Sequence, residues 1–222
     1  MSSFPSGRTL PAAAVVATLV SLAACGGGSS SPAPISASPP VTPTPPGDPL
    51  LPQTELTLAT EHSSIASADA ASQPNWPAWN HAGGDAIDGI GCARNENYHV
   101  HALLSIYRNG VRLALPSSVG RNNSCNYEIH THDGTGVLHI ETDVPKTFTL
   151  GQFFALWGQR LSAATIAGLP GPAKYYVIEN EKIAPVTGDP AAIPLAGHKE
   201  IVVVVGTPPA VLPRYDWAAS GL

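Results

Sequence analysis

No run of basic residues occurs anywhere in this chain. It has 11 Lys and Arg against 16 Asp and Glu, a formal net charge of −5 and only 12% charged residues. That balance lacks the electrostatic footprint with which nucleic-acid binders neutralise phosphates, so that class is set aside. Met1 is the single methionine, which excludes a Met-rich Cu(I) carrier built on soft thioether ligands. There is no G-x-S-x-G elbow, no P-loop and no dinucleotide-binding glycine fingerprint, and the usual named chemistries go with them. The apolar stretch from Ala12 to Leu22 is only eleven residues of Ala, Val, Thr, Ser and Leu, too few to span a ~30 Å hydrocarbon core. Cysteine is scarce: three in 222 residues, with no C-x-x-C spacing. Abundant instead are Gly (21) and Pro (23), a profile that suits an exported, β-rich or loop-rich protein.

Position divides these totals into three zones. Residues 1–24 carry one positive charge (Arg8), the short apolar stretch and then Leu22-Ala23-Ala24-Cys25-Gly26, the layout of a signal peptide. Residues 25–55 hold Cys25 and nine prolines from Pro32 to Pro52 among Ser, Thr, Ala and Gly. Such a segment cannot bury enough apolar surface to offset its ordering entropy and is expected to act as a disordered tether. Residues 56–222 contain every Trp, Tyr and His, enough chain for a single globular domain with its core at about 91–206.

The run Leu22-Ala23-Ala24-Cys25 resembles a bacterial lipobox. The resemblance implies cleavage before Cys25, diacylglyceryl attachment to its thiol and stable anchoring in a membrane through two or more acyl chains. Gly26, rather than the aspartate of inner-membrane retention, points to the outer membrane, with the domain facing the periplasm or the cell surface. Cys92 and Cys125 then remain as an even pair in an oxidising compartment, so a disulfide is the default expectation. The alternative reading makes one or both thiolates soft metal ligands.

Strand signals are clear within the domain. From Tyr98 to Tyr107, Tyr98, Val100, Ala102, Leu104 and Ile106 alternate with His99, His101, Leu103, Ser105 and Tyr107, the period of a strand. Asn109-Gly110 is a turn signal, and Val111, Leu113 and Leu115 make the return strand. A second hairpin runs from Tyr127 to His132, turns through Asp133 to Gly136 and returns over Val137 to Glu141. Between Lys146 and Gly158 the spacing becomes helical, with Thr149 as N-cap, Leu150, Phe153, Phe154 and Trp157 on one face, and Gly158 as stop. Tyr175 to Glu179 and Ile201 to Val205 read as two further strands, the second apolar on both faces. Leu56 to Pro77 shows weak periodicity and is read as irregular. The order predicts an α+β fold: a mostly antiparallel sheet of two N-terminal hairpins, one helix, then two strands, similar to a β-grasp. A β-sandwich with one helix is the alternative.

Five of the eight histidines lie between His99 and His139. Because strand side chains alternate between faces, His99-Val100-His101 and His130-Thr131-His132 each put two imidazoles on one side. If Gly134-Thr135 is the turn, His130 faces His139, Glu128 faces Glu141 and Ile129 faces Ile140. One face then carries His130, His132, His139, Glu128 and Glu141, and the other carries Ile129, Thr131, Leu138 and Ile140. A slip by one residue would oppose polar and apolar positions along the whole hairpin. Clustered imidazoles repel once protonated and gain little from one another when neutral, so a divalent metal explains their gathering. Structural, hydrogen-bonded histidines are the competing explanation. If the two hairpins lie side by side, three to five histidines converge on an ion, with Cu(II) or Zn(II) favoured by the ligand type. Asp133 is read as a turn former, and His62, His81 and His198 as structural.

Tyr98-His99-Val100-His101-Ala102, His130-Thr131-His132-Asp133, His139-Ile140-Glu141 and Thr147-Phe148-Thr149-Leu150-Gly151-Gln152-Phe153-Phe154 with Trp157-Gly158 together resemble a group of exported, His-rich bacterial proteins over about residues 91–206. The resemblance implies export and the domain limits rather than an activity. Members of that group often carry a third alternating histidine where this chain has Leu103.

Three functions follow as expectations. The first is an envelope lipoprotein binding Cu(II) or Zn(II) through His99, His101, His130, His132 and His139, for sequestration, sensing or delivery. The second is a zinc-dependent hydrolase or lyase, with Glu128 or Glu141 as general base. The third is a metal-free envelope interaction domain. The partners expected are the membrane, through the lipid anchor, and a metal ion, with no nucleic acid.

Overall fold

Alternating apolar positions broken by Asn and Gly turns make strands the commonest element. The computed structural model describes residues 55–66 and 76–222; the expected leader, Cys25 and nearly all of the proline-rich segment lie outside them. In chain order the strands are β1 (Leu58–Ser63), β2 (Tyr98–Arg108), β3 (Val111–Leu113), β4 (Arg121–Asn122), β5 (Cys125–Asn126), β6 (Ile129–His130), β7 (Val137–Thr142) and β8 (Phe148–Thr149). Helix α1 (Leu150–Trp157) follows, then β9 (Ala173–Glu179), β10 (Lys182–Pro185), β11 (Pro194–Leu195), β12 (Glu200–Val205) and β13 (Leu212–Tyr215).

The main sheet has seven strands in the order β10-β9-β12-β2-β7-β6, with β3 also paired to β2. Its central pair, β12 and β2, is parallel, and the other pairings are antiparallel. Shorter two-stranded pairings join β1 to β13, β8 to β11 and β4 to β5. The regular elements among the described residues are therefore mostly strands, with one α-helix, as the sequence patterns lead one to expect. Among the described residues no helix is long and apolar enough to cross a membrane.

Helix α1 begins and ends where its caps dictate. Thr149 accepts from the Gln152 N–H through its hydroxyl, and the Gln152 side chain accepts from the Thr149 N–H, so two orphan donors of the first turn are satisfied reciprocally. Gly158 at φ 74° closes the last turn in the left-handed conformation. The helix buries Leu150, Phe153, Phe154, Leu156 and Trp157 against one sheet face, where Ala102, Leu104 and Ile106 of β2 meet Leu138 and Ile140 of β7.

The opposite face is only partly covered. Tyr107, Val202 and Val204 pack under Leu58 of β1 and Leu212 of β13, and Leu103 and Val137 pack under Tyr215 with Ile65 and Trp217. That layer ends at Leu103 and Val137. The next positions on the same face of β2 and β7 are His101, His99, His139 and Glu141, so the histidines begin where the covering layer stops.

The second hairpin has the expected register: Ile129 pairs with Ile140 and His130 with His139. β7 also pairs with β2, setting His101 opposite His139 and His99 opposite Glu141. Gly136 anchors this junction. At φ 87°, a Cβ there would strike the backbone carbonyl of Leu104, whose N–H donates to the Gly136 carbonyl. Gly136→Ala is expected to destabilise the fold by about 2–4 kcal/mol through strain and displaced β2 backbone. An unchanged urea midpoint would refute that account.

The sulfurs of Cys92 and Cys125 lie at bonding distance, 1.99 Å, with Cα atoms 5.4 Å apart. Cys92 also forms an isolated antiparallel bridge with Tyr127, so the cross-link sits at the entrance to the second hairpin.

Candidate metal centre

Three neighbouring strands place the site. β2 contributes His99 and His101, β7 contributes His139 and Glu141, and β6 with the following residues contributes His130 and His132. Their ligand atoms gather into two groups that share His139: one with His130, His132 and Glu141, the other with His99 and His101. Such a cluster can hold a metal ion.

The nitrogen spacings are those of ligands. His130 Nε2 lies 3.0 Å from His132 Nε2, and His139 Nδ1 lies 3.2 Å from His101 Nε2 and 3.4 Å from His99 Nε2. Two nitrogens each ~2.05 Å from one ion are ~2.9 Å apart at a right angle and ~3.3 Å apart at the tetrahedral angle. The backbone ladders have thus brought the rings to ligand separation before any ion arrives.

Proton accounting sharpens the point. His130 Nδ1 lies 2.8 Å from the Tyr127 carbonyl, to which it must donate, leaving Nε2 of the neutral ring as a bare lone pair. That lone pair faces Glu141 Oε2 at 3.6 Å, one acceptor against another. Nδ1 of His139 meets two histidine nitrogens and, at 3.5 Å, Glu141 Oε1, yet a neutral ring carries one N–H. A cation among these atoms removes the conflict. The carbonyl-anchored ring is also the arrangement by which a ligating imidazole is oriented from its far side.

The electrostatics run the same way. Burial pushes the His139 ring down to about 3, with His132 and His101 adding to the effect. It pushes His130 down to about 4, against the opposing bond to Tyr127, and His101 down to about 4, helped by His99. His132 is lowered by burial and then by Arg121. Burial raises the Glu141 carboxyl, and Glu96 raises it further. The rings of His101, His130 and His139 therefore stay neutral, with lone pairs ready for a metal, well below the ordinary histidine range.

The other expected residues are placed elsewhere. Glu128 shares the predicted register with Glu141 through its backbone, its carbonyl accepting from the Glu141 N–H. Its carboxylate turns away to Lys146 Nζ at 2.7 Å and the Gly91 N–H at 2.9 Å, outside both ligand groups. Asp133 accepts from the Thr135 N–H and hydroxyl, the work of a turn former. Cys92 and Cys125 take no part in either group. His62 contacts Glu181 at 2.7 Å, far along the chain from the cluster.

Two neighbours were not legible from strand period. Glu96, at φ 49°, brings its carboxyl into hydrogen-bonding reach of Glu141. His198, at φ 58°, donates its backbone N–H to the His101 carbonyl, stacks on Trp217 at 4.9 Å and helps line a cavity of about 330 Å³ with His99 and His101. Both sit in loops with no repeating pattern; their only signal is a polar residue in a left-handed turn. No protein-family model, curated protein or solved structure matches the chain.

Proposed function

We propose that this protein is a metal-binding lipoprotein of the bacterial cell envelope, which takes up Cu(II) or Zn(II) through its histidine cluster for sequestration, sensing or delivery. The observation that carries the reading is the set of ring nitrogens 3.0–3.4 Å apart with the His130 tautomer fixed by a backbone carbonyl. Imidazole-rich sites favour Cu(II) and Zn(II) among divalent first-row ions. The lipobox at Cys25 and the proline tether supply the membrane partner and the outer-membrane location, facing the periplasm or the exterior. The resemblance to exported His-rich proteins is in keeping with this placement. The parallel central pair β2 and β12 flanked by antiparallel β7 and β9 favours the β-grasp reading over the sandwich.

A zinc hydrolase or lyase is the second reading, favoured by one observation: the His99-His101-His139 group opens on the cavity beside His198. In it Glu141 would be the base, since the Glu128 carboxylate is engaged by Lys146. Elemental analysis of the purified protein after Cu(II) or Zn(II) loading and desalting separates these from the interaction domain. Metal binding requires stoichiometric metal, lost in His130→Ala/His132→Ala. If the wild type retains none and titrates none at micromolar levels, the metal readings fail and the metal-free domain stands.

A further inference from the structure

We propose that the cluster holds two ions and that Glu141 bridges them. His130 Nε2, His132 Nε2 and Glu141 Oε2 take an inner ion; His99 Nε2, His101 Nε2 and His139 Nδ1 take an outer one, which Glu141 Oε1 reaches from the His99 and His139 side. This inference rests on the metal-binding reading and specifies its stoichiometry.

Ligand number is the first argument. Five imidazoles and a carboxylate converge, yet a tetrahedral Zn(II) site takes four protein ligands, and ligands on one ion lie no more than ~4.2 Å apart. The ligand atoms fall into two groups instead of one. His139 belongs to both by proximity, but Nδ1 has a single lone pair, and its 3.2 and 3.4 Å contacts assign it to His101 and His99.

The carboxylate is the second. Glu141 Oε1 lies 3.1 Å from His99 Nε2 and 3.5 Å from His139 Nδ1, whereas Oε2 lies 3.6 Å from His130 Nε2. One oxygen faces each group, the disposition of a bridging carboxylate, which suits ions ~3.5–4 Å apart as in two-metal sites. With a side chain 7% exposed, Glu141 is held between the groups.

The two positions differ in access. In the inner set the His130 and Glu141 side chains are 1% and 7% exposed with His132 exposed at its edge, whereas no imidazole of the outer set is buried and His99 is 43% exposed. The cavity lined by His99, His101 and His198 opens on the outer group. The inner ion is therefore the retained one and the outer ion the exchangeable one.

The test loads the purified full-length protein with Cu(II), desalts it, and compares copper per chain with the integrated EPR signal. The expected result is two coppers per chain with an EPR intensity well below the copper content, because bridged Cu(II) ions couple. A chelator should remove one copper at least tenfold faster than the other. His99→Ala/His101→Ala should hold one copper per chain with full EPR intensity. Glu141→Gln should lose the coupling, and His99→Ala alone, at an exposed position, serves if the double variant does not fold. One copper per wild-type chain overturns the two-ion proposal and leaves metal binding intact, whereas none overturns both. Two coppers with full EPR intensity, or two retained when His99 and His101 are replaced, overturn the assignment to these groups and to Glu141.

Discussion

His139→Ala is expected to weaken retention of the outer Cu(II) or Zn(II) ion by about a thousandfold or more, equivalent to ~4 kcal/mol. His139 Nδ1 is a ligand of the outer ion, within 3.4 Å of both His99 and His101 nitrogens, and its ring also adjoins the inner group. Its ring also lies flat on His132 at 3.9 Å, so removal both deletes a ligand and frees a second ring to turn. His62→Ala, whose ring pairs with Glu181 outside both ligand groups, should leave affinity unchanged. Competitive titration against a chromophoric chelator measures both variants. A His139→Ala protein within threefold of wild type at the outer ion would remove His139 from its ligands.

The metal-free protein is expected to lose roughly 3–6 kcal/mol of stability between pH 7 and pH 4.5. The sign follows from the rings themselves. In the unfolded chain, histidines take up protons below about 6.5. Folded, His101 and His130 do so only near 4 and His139 only near 3. Across that window the unfolded state binds more protons, so stability falls as pH drops through 6.5 and levels off once the folded rings also protonate. Three rings at full weight would exceed the quoted range; it is set lower because they titrate as a coupled cluster, His101 is only half-buried, and burial raises the Glu200 carboxyl to about 7 and raises that of Glu141, so these two take up protons in the fold across the same window and offset part of the loss. Such a loss is a large part of a typical 5–15 kcal/mol total. Urea unfolding in the presence of a chelator, repeated at half-unit pH intervals, reads it directly. A midpoint that stays flat to pH 4.5 would show that the rings are not buried as neutral groups.

The elements that were legible in the sequence are those set by local rules. The register of His130 against His139 follows from a two-residue period around a Gly-Thr turn, because the hairpin can bury Ile129 and Ile140 in only one phase. Helix α1 follows from Thr149, Gln152 and Gly158, each of which acts within one turn. Leu58–Ser63 was not legible as a strand: its partner is Leu212–Tyr215, some 150 positions away, and the parallel pairing leaves most of β1 exposed, with no apolar alternation to reveal it. The same holds for Leu103 and Tyr107, which continue the histidine face of β2 yet are buried because Tyr215 packs on the first and Leu58 and Leu212 on the second.

For the site, period-two reasoning placed five rings on one face but could not say which strand separates them. The pairing of β2 with β7 is a tertiary choice, and it decides that His139 meets both other pairs. Glu128 shows the limit from the other side. Its position in the register matches Glu141, yet Lys146 and the Gly91 N–H offer its carboxylate a better-satisfied place, and one side-chain rotation removes it from the cluster.

The cross-link at the hairpin entrance ties the site to the redox state of its surroundings. Cys125 lies two residues before Tyr127, Cys92 pairs with Tyr127 across an isolated bridge, and it is the Tyr127 carbonyl that holds the His130 ring. In an oxidising compartment that carbonyl is pinned, and the deepest ligand keeps one tautomer and one direction. Under thiol-reducing conditions the peptide gains freedom, the ring loses its anchor, and capture of an ion must then bear the entropy of aligning it. Formation of the Cys92–Cys125 cross-link would in this way switch on a ligand geometry that the same chain holds only loosely while its cysteines are reduced.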